Sequence, residues 1–133
     1  LRENLGVSDD AKTFSPGNLS AISDNPGYKK AVDRWLTEKP NLRYSGCMVA
    51  DVHHVLSKGQ GIFTNVGGKK YPEGKLRLVF ECGPFAFIAA QAGARATNGV
   101  TDILDVEITS LDQRTPIIIG SSKEVAATSA LLA

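Results

Sequence analysis

The sequence has little cysteine, little net charge and no long apolar run. Its 133 residues include two cysteines, and 15 lysines and arginines nearly balance 14 aspartates and glutamates, for a formal net charge of +1. Such a balance gives no basis for general binding of nucleic acid or of a membrane surface. No apolar run approaches the roughly 20 residues that a membrane-spanning helix needs, and the first residues lack a signal-peptide pattern. We therefore expect neither nucleic acid nor a membrane among the partners.

The cysteines and histidines show no metal-binding spacing. Cys47 and Cys82 lie far apart, without a CxxC or Cys/His zinc pattern, so we expect two buried free thiols in a reducing compartment. His53 and His54 stand near Asp51 on a predicted helix, but neighbouring helical positions point about 100° apart. This arrangement disfavours one metal ion shared by both imidazoles.

With 42% hydrophobic and 22% charged residues, the chain has the composition of one globular domain. Strand-like and helix-like segments alternate along it, which indicates a layered α/β fold. Helices are predicted over 25–39, 48–56, 84–92 and 122–132, and strands over 13–15, 61–66, 75–81, 94–97, 103–108 and 116–120. In the second helix we expect Val49 to face the core and Asp51 to face solvent.

The segment 75–84, KLRLVFECGP, has the alternation of a strand that ends at a carboxylate. We expect it to pair with 61–66 as an antiparallel hairpin and to deliver Glu81 to the start of the next helix, where Pro84 is tolerated. Lys75 and Glu81 would then lie on one face, about 20 Å apart at roughly 3.3 Å per residue. They could contact the two ends of an elongated anionic ligand, one of them through a metal ion. The alternative is that both side chains simply face solvent.

Three further residues have side chains suited to an anionic ligand. Asn18 ends a predicted turn at 15–18, and its amide could contact a ligand or only serve the turn. Arg43 and Tyr44 offer a guanidinium and a phenol to phosphate oxygens, or else a surface ion pair and a half-buried ring. The glycine-rich loop at 67–74 lacks GxxxxGK[ST] and opens no helix, so it is not a P-loop.

Several motifs occur in a consistent order along the chain. They are FSPGNL at 14–19, RYSGCMVADVH at 43–53, GIFTNV at 61–66, GKLRLVFEC at 74–82 and QRTPIIIGS at 113–121. This series resembles the carboxyl-terminal half of the fructose-1,6-bisphosphatase and sedoheptulose-1,7-bisphosphatase family. FSPGNL, GIFTNV and LDQRT at 111–115 favour the sedoheptulose branch, whereas RYSGCMVADVH is nearer to the fructose branch. The resemblance implies a mixed β-sheet with flanking helices, with residues 1–133 forming the carboxyl-terminal domain.

The resemblance implies a function in carbohydrate metabolism. The first expectation is hydrolysis of the 1-phosphate of sedoheptulose-1,7-bisphosphate, as in the Calvin cycle, by an enzyme of the cytoplasm or the plastid stroma. The alternative within the family is fructose-1,6-bisphosphate, as in gluconeogenesis. A different class of function is a non-catalytic module that binds sugar phosphates.

The resemblance also assigns roles to individual residues. Glu81 matches a carboxylate of the catalytic site that ligates Mg²⁺, of which the full-length enzyme would hold two or more ions. Lys75, Tyr44 and Asn18 would hold the distal phosphate, which is not cleaved. Gly46 and Met48 would line the sugar.

Arg43 would reach the distal phosphate in a neighbouring subunit, so the resemblance implies at least a homodimer. Asn65 and Ser20 stand where the fructose enzymes have phosphate-binding tyrosines, which implies a distal pocket with less aromatic surface or a roomier one, and favours a seven-carbon sugar. The family's other metal ligands belong to an amino-terminal half with a DPxDGSxN-like run, which is absent from these 133 residues. We therefore expect these residues alone to lack bisphosphatase activity and to self-associate through surface that the other half would cover.

Overall fold

The computed structural model of the protein describes residues 3–133, which form a five-stranded sheet with helices on both faces. The strands are β1 (Thr13–Gly17), β2 (Asn41–Leu42), β3 (Ile62–Asn65), β4 (Arg95–Thr97) and β5 (Ile117–Gly120). The α-helices are α1 (Pro26–Glu38), α2 (Met48–Lys58), α3 (Gly83–Gln91) and α4 (Ser122–Leu132). No helix within residues 3–133 is both long enough and apolar enough to cross a membrane.

The strand order is β2-β1-β3-β5-β4, and the sheet is mixed. β1 pairs in parallel with β2 and with β3, whereas β5 runs antiparallel to both β3 and β4. The predicted α/β class with a layered mixed sheet and flanking helices is therefore confirmed.

Two apolar cores lie on opposite faces of the sheet. On β5, Ile117 and Ile119 join the core under α2 and α3, while Ile118 joins the core under α1 and α4. This division follows from the alternation of side chains along a strand. It explains why the run PIIIG is apolar throughout, since a strand covered on both faces has no solvent side.

The start of α1 follows from its sequence. The side chain of Asn25 accepts a hydrogen bond of 3.0 Å from the Tyr28 N–H, and Pro26 occupies the first turn. An asparagine cap satisfies an N–H that lacks a helical partner, and proline lacks such an N–H at a position where none is needed. The helix ends at Glu38, shortly before Pro40, as predicted.

A buried carboxylate joins the two helices on this face. Glu124 of α4 accepts hydrogen bonds from the Arg34 guanidinium and from Trp35 Nε1 at 2.7 Å, and pairs with Lys39 Nζ at 3.0 Å. Burial alone would raise the pKa of Glu124, but the hydrogen bonds from Arg34, Trp35 and Lys39 lower it overall. The folded protein therefore favours the ionised carboxylate of Glu124.

The segment 75–82 is not a strand, contrary to the prediction. Leu78–Cys82 forms a single turn of π-helix that leads directly into α3, and the strand neighbours of β3 are β1 and β5, so no hairpin forms with 75–81. Leu78 and Cys82, four residues apart, are both buried, which is a helical spacing. The Leu78 N–H donates to the Gln113 carbonyl at 2.8 Å, a tertiary contact that local alternation does not reveal.

Four smaller predictions are also wrong. Residues 15–17 belong to β1 rather than to a turn, because β1 pairs with β3 as far as Gly17. The segment 103–108 is not a strand and contains a 3-10 turn over Ile103–Asp105. On α2, Val49 is exposed and Asp51 is buried. Cys82 is a buried free thiol as expected, but Cys47 is exposed.

Candidate functional site

A cavity of about 240 Å³ opens where β1 and β3 end. Because these strands are parallel and Gly17 pairs with Asn65, their carboxyl ends meet at one edge of the sheet. In open α/β sheets, ligands bind in the crevice outside such strand ends. The lining residues come from four segments of the chain: Gly17, Asn18, Tyr44, Gly46, Met48, Phe63, Asn65, Lys75 and Leu76.

Five of the predicted site residues meet at this cavity. Asn18, Tyr44, Gly46, Met48 and Lys75 all line it, although Asn18 and Lys75 lie far apart in sequence. Arg43 and Glu81 are not among its lining residues. The fold therefore brings together the group predicted to hold a distal phosphate and a sugar.

The segment that carries Tyr44 and Gly46 is held by a buried carboxylate. Asp51, in the first turn of α2, accepts the Ser45 N–H with its Oδ1 at 3.0 Å and its Oδ2 at 3.3 Å. Gly46 has φ of +83°, a conformation that a residue with a Cβ rarely adopts. The sequence interpretation missed Asp51, whose signal is an acidic residue close to a helix start.

Lys75 is fixed through its backbone and its side chain. Its N–H donates to Asn65 Oδ1 at 2.9 Å, and its carbonyl accepts from Arg114 Nη1 at 3.1 Å. Its ammonium lies 4.9 Å from the centre of the Tyr71 ring, within the range of a cation–π contact. Asn65 and Tyr71 are therefore supporting residues of the site. The sequence interpretation noted Asn65 only for its place in the family pattern, and it gave Tyr71 no role.

The amide of Asn18 already has protein partners. This residue has left-handed backbone angles, φ of 51° and ψ of 47°, between β1 and the following 3-10 turn. Its Nδ2 donates to the Val66 carbonyl at 2.7 Å, and its Oδ1 accepts from the Ser20 hydroxyl at 3.1 Å. Asn18 therefore joins the ends of β1 and β3 at the rim of the cavity.

Arg43 and Glu81 lie outside the cavity lining. Arg43 is exposed, and its Nη1 donates to the Leu42 carbonyl at 3.0 Å. Glu81 is half-buried in the π-turn before α3, where its Oε2 accepts the Arg77 N–H at 2.8 Å. The predicted extended separation of Lys75 and Glu81 does not apply, because the chain between them is not a strand.

The described residues do not form a metal centre by themselves. Within residues 3–133, no group of three or more His, Cys, Asp or Glu side chains could surround an ion. Glu81 offers one carboxylate, whereas Mg²⁺ takes six oxygen ligands in octahedral geometry and is commonly bound through carboxylates, waters and substrate phosphates. The role of Glu81 as one magnesium ligand therefore stays a prediction.

The family of the chain follows from comparison with known proteins. A family model described as fructose-1-6-bisphosphatase, C-terminal domain, matches residues 7–133. The chain belongs to the fructose-1,6-bisphosphatase family. This finding confirms the predicted resemblance to the carboxyl-terminal part of the family.

Both sedoheptulose-1,7-bisphosphatases and fructose-1,6-bisphosphatases are similar to the chain. It is 45% identical over 116 residues to a chloroplastic sedoheptulose-1,7-bisphosphatase of Triticum aestivum, covering 87% of this chain and 29% of the relative. It is 45% identical over 125 residues to a class 1 fructose-1,6-bisphosphatase of Geobacter sulfurreducens, covering 94% of this chain and 40% of the relative. The chain therefore spans less than half the length of these relatives.

The same likeness holds in three dimensions. The chain matches a crystal structure of a Toxoplasma gondii protein assigned as a sedoheptulose-1,7 bisphosphatase, with a TM-score of 0.92 and 37% sequence identity. The match covers 96% of this chain and 41% of the other chain. The mixed sheet with its flanking helices is thus the fold of the carboxyl-terminal domain in this family.

Proposed function

We propose that this chain is the part of a sugar bisphosphatase that binds the sugar and the phosphate that is not cleaved. The observation that carries the proposal is the cavity in which Lys75, Tyr44 and Asn18 meet. An ammonium and a phenol at one rim suit a phosphate group, because charge-assisted hydrogen bonds to phosphate are short and strong. The cavity of about 240 Å³ is smaller than the roughly 300–1,000 Å³ of typical small-molecule sites, and it suits one part of a sugar phosphate.

Within this proposal, binding at the cavity contributes orientation. The reaction is hydrolysis: water attacks the phosphorus of the 1-phosphate, the bond from phosphorus to the sugar oxygen breaks, and inorganic phosphate and a sugar monophosphate leave. When fixed groups hold the distal phosphate, the rest of the bound substrate has fewer orientations, so the reacting phosphate stays in one position. This restriction lowers the entropic cost of the reaction. Glu81 would give one carboxylate to Mg²⁺, which neutralises charge on the reacting phosphate when bound.

The preferred substrate in this proposal is sedoheptulose-1,7-bisphosphate, with fructose-1,6-bisphosphate as the alternative. The motifs FSPGNL and GIFTNV support the first, as do the chloroplastic sedoheptulose-1,7-bisphosphatases of Triticum aestivum and Spinacia oleracea among the relatives. The fructose-1,6-bisphosphatases of Geobacter sulfurreducens and Mus musculus support the second. The names of the plant relatives also make the plastid stroma our first choice of compartment over the cytoplasm.

The proposal also includes a homodimer in which Arg43 serves the neighbouring site. Its support is that Arg43 is exposed and absent from the lining of its own chain's cavity, while the adjacent Tyr44 lines it. Sedimentation of the full-length protein tests the dimer. An Arg43→Met variant that remains dimeric but has an unchanged KM would contradict the role of this side chain.

The decisive experiment is a kinetic assay of the full-length protein that carries this chain, with Mg²⁺ and each bisphosphate. Lys75→Met is expected to raise KM by about tenfold, as the loss of a charge-assisted hydrogen bond predicts. Lys58→Met is the matched control, because Lys58 ends α2 about 15 Å from the helix start near the cavity, at about 1.5 Å per residue.

The outcomes separate the candidates. A higher kcat/KM on the six-carbon substrate would reverse the order of the two sugars. Equal effects of Lys75→Met and Lys58→Met would refute the cavity as the distal-phosphate site. Binding of sugar phosphates without hydrolysis of either bisphosphate would support the non-catalytic module instead.

A further inference from the structure

A buried tyrosine lies behind the wall of the cavity. Tyr28 of α1 is fully buried and is not among the lining residues, but its hydroxyl donates to the Gly17 carbonyl at 2.6 Å. Gly17 and the following Asn18 both line the cavity. Tyr28 is therefore connected to the cavity through the peptide group that joins these two residues.

The Tyr28 hydroxyl is the donor in this contact. A carbonyl oxygen only accepts, so the single proton of the phenol points toward Gly17. The contact of 3.1 Å between the Tyr28 hydroxyl and Thr64 Oγ1 then has the threonine hydroxyl as its donor. Burial raises the pKa of Tyr28, so the phenol keeps its proton at neutral pH.

The side chain of Tyr28 has little freedom to move. Its ring packs edge-on against Trp35, with ring centres 6.3 Å apart and an interplanar angle of 77°. Its backbone N–H donates to the Asn25 side chain that caps α1. The hydroxyl is therefore a fixed donor at the end of β1.

The peptide group that Tyr28 contacts has a competing orientation. Asn18 has left-handed backbone angles, φ of 51° and ψ of 47°, which asparagine tolerates but which still cost free energy. Rotation of the planar Gly17–Asn18 peptide by about 180° would bring the φ of Asn18 to a negative value and change only the ψ of Gly17 besides. Gly17 has no Cβ to oppose that rotation. The rotation would turn the Gly17 carbonyl away from Tyr28 and break the hydrogen bond.

We propose that Tyr28 is a positioning residue whose hydroxyl holds the Gly17–Asn18 peptide in the orientation that binds the sugar phosphate. The inference deepens the proposed function and rests on it. Tyr28 does not touch the ligand and acts through the backbone of the cavity wall. Without the hydroxyl, the wall also populates the rotated peptide, and the apparent affinity falls by the fraction of molecules that leave the binding orientation.

The test compares two substitutions that each remove one buried hydroxyl. Tyr28→Phe keeps the ring against Trp35 and loses the donor to Gly17. Thr97→Val is the matched control, because the buried Thr97 hydroxyl also donates to a backbone carbonyl, that of Thr101 at 2.9 Å. Thr97 lies on β4, three positions from β1 in the strand order.

Both variants are made in the full-length protein and measured in three ways. Kinetics with Mg²⁺ and each bisphosphate give kcat and KM, and calorimetric titration gives the affinity for a ketose monophosphate that carries only the terminal phosphate. Urea denaturation gives the stability. We expect Tyr28→Phe to raise KM and to weaken binding of the ketose monophosphate by about three- to tenfold, as the loss of one hydrogen bond predicts, with kcat changed less than about twofold.

Thr97→Val should lower the urea midpoint as Tyr28→Phe does, but it should change KM less than about twofold. A Tyr28→Phe variant with a lowered urea midpoint and an unchanged KM would show a purely structural role and overturn the inference. If Lys75→Met still raises KM in that case, the proposed function stands. Absence of binding by the unmodified protein would overturn both.

A crystal structure of the unmodified full-length protein soaked in inorganic phosphate gives a second test that does not depend on the folding of a variant. With phosphate in the cavity, we expect the Gly17 carbonyl to lie within about 2.5–3.0 Å of the Tyr28 hydroxyl and Asn18 to keep a positive φ. A cavity that holds phosphate with this carbonyl turned away from Tyr28 would overturn the inference.

Discussion

The ammonium of Lys75 lies 4.9 Å from the centre of the Tyr71 ring, and the ammonium of Lys70 lies 5.5 Å from the same ring. One aromatic ring thus contacts two cations beside the cavity. A cation–π contact at an exposed site is worth roughly 0.5–1 kcal/mol, and here it limits the positions that Lys75 can adopt.

We therefore expect Tyr71→Leu to weaken binding of a ketose monophosphate by about two- to fivefold, as the loss of roughly 0.5–1 kcal/mol implies. Tyr71→Phe keeps the ring and is the control, with an expected change below twofold. Calorimetric titration of the full-length protein measures both. An equal loss in the two variants would show that the hydroxyl group, rather than the ring, is what matters.

Asp51 offers a test of how the cavity wall is held. Asp51→Ala removes the acceptor of the Ser45 N–H, so we expect the Tyr44 segment to loosen and the stability to fall by about 1–3 kcal/mol. Affinity for the ketose monophosphate should fall with it, because Tyr44 and Gly46 line the cavity. Asp51→Asn retains an acceptor oxygen and should keep most of both properties. Urea denaturation and titration give the two readouts, and a stable Asp51→Ala variant with full affinity would contradict this role.

The Glu124 carboxylate makes stability depend on pH in a defined direction. The fold lowers the pKa of Glu124, so its contribution is complete above the unfolded value of about 4.5 and is lost as the pH falls through the lower folded value. We expect the free energy of unfolding to decrease across this acidic range in urea titrations.

Substitutions at Glu124 and at the exposed Glu38 distinguish how much each carboxylate contributes to stability. Glu124→Gln leaves the half-buried cations of Arg34 and Lys39 without their charge partner and should cost about 3 kcal/mol at neutral pH. Glu38→Gln removes an exposed partner of the same Arg34 and should cost below about 1 kcal/mol. Similar losses in both variants would mean that burial of the Glu124 pair is not what stabilises the helices.

The two cysteines should differ in reactivity. Burial raises the pKa of the Cys82 thiol to about 12, so almost no thiolate exists at neutral pH, and Cys47 is exposed at the start of α2. A thiol reagent should modify Cys47 in the native protein and Cys82 only after denaturation. Mass spectrometry of digested protein identifies the site, and rapid native modification of Cys82 would show that α3 opens readily.

The 133-residue chain should self-associate when it is prepared alone. Phe80 and Phe87 are each 59% exposed, and Ile88 on the same helix as Phe87 is 48% exposed. Exposed apolar area of this kind favours association in water. Sedimentation should show Phe87→Glu to be less associated than Val100→Glu, which adds the same charge to a loop. A clean monomer of the unmodified chain would contradict the prediction.

Local patterns predicted most of the architecture. Asn25 with Pro26 identifies the start of α1, and the uniformly apolar run ending at Gly120 identifies a strand covered on both faces. These signals are local, because a cap and a burial pattern are visible in a few consecutive residues. The strand predicted over 75–82 was wrong because it also rested on a local signal. The alternation of this segment fits a strand, but Leu78 is fixed by a contact with Gln113 far along the chain.

The site was only partly predictable. Tyr44, Gly46, Met48 and Lys75 came from family motifs, and the fold confirms that they are neighbours. The family motif drew attention to Asn65 only as a replacement for a tyrosine, and its hydrogen bond to the Lys75 N–H, ten residues along the chain, could not be predicted from local sequence.

The position of β5 has a consequence for the order in which the fold can be completed. β5 is last of the strands in sequence, yet it lies between β3 and β4 and is paired with both. During synthesis, β4 leaves the ribosome before the strand that will connect it to the rest of the sheet. A chain interrupted before Ile117 therefore lacks two pairings at once, and one apolar layer lacks Ile117 and Ile119 while the other lacks Ile118.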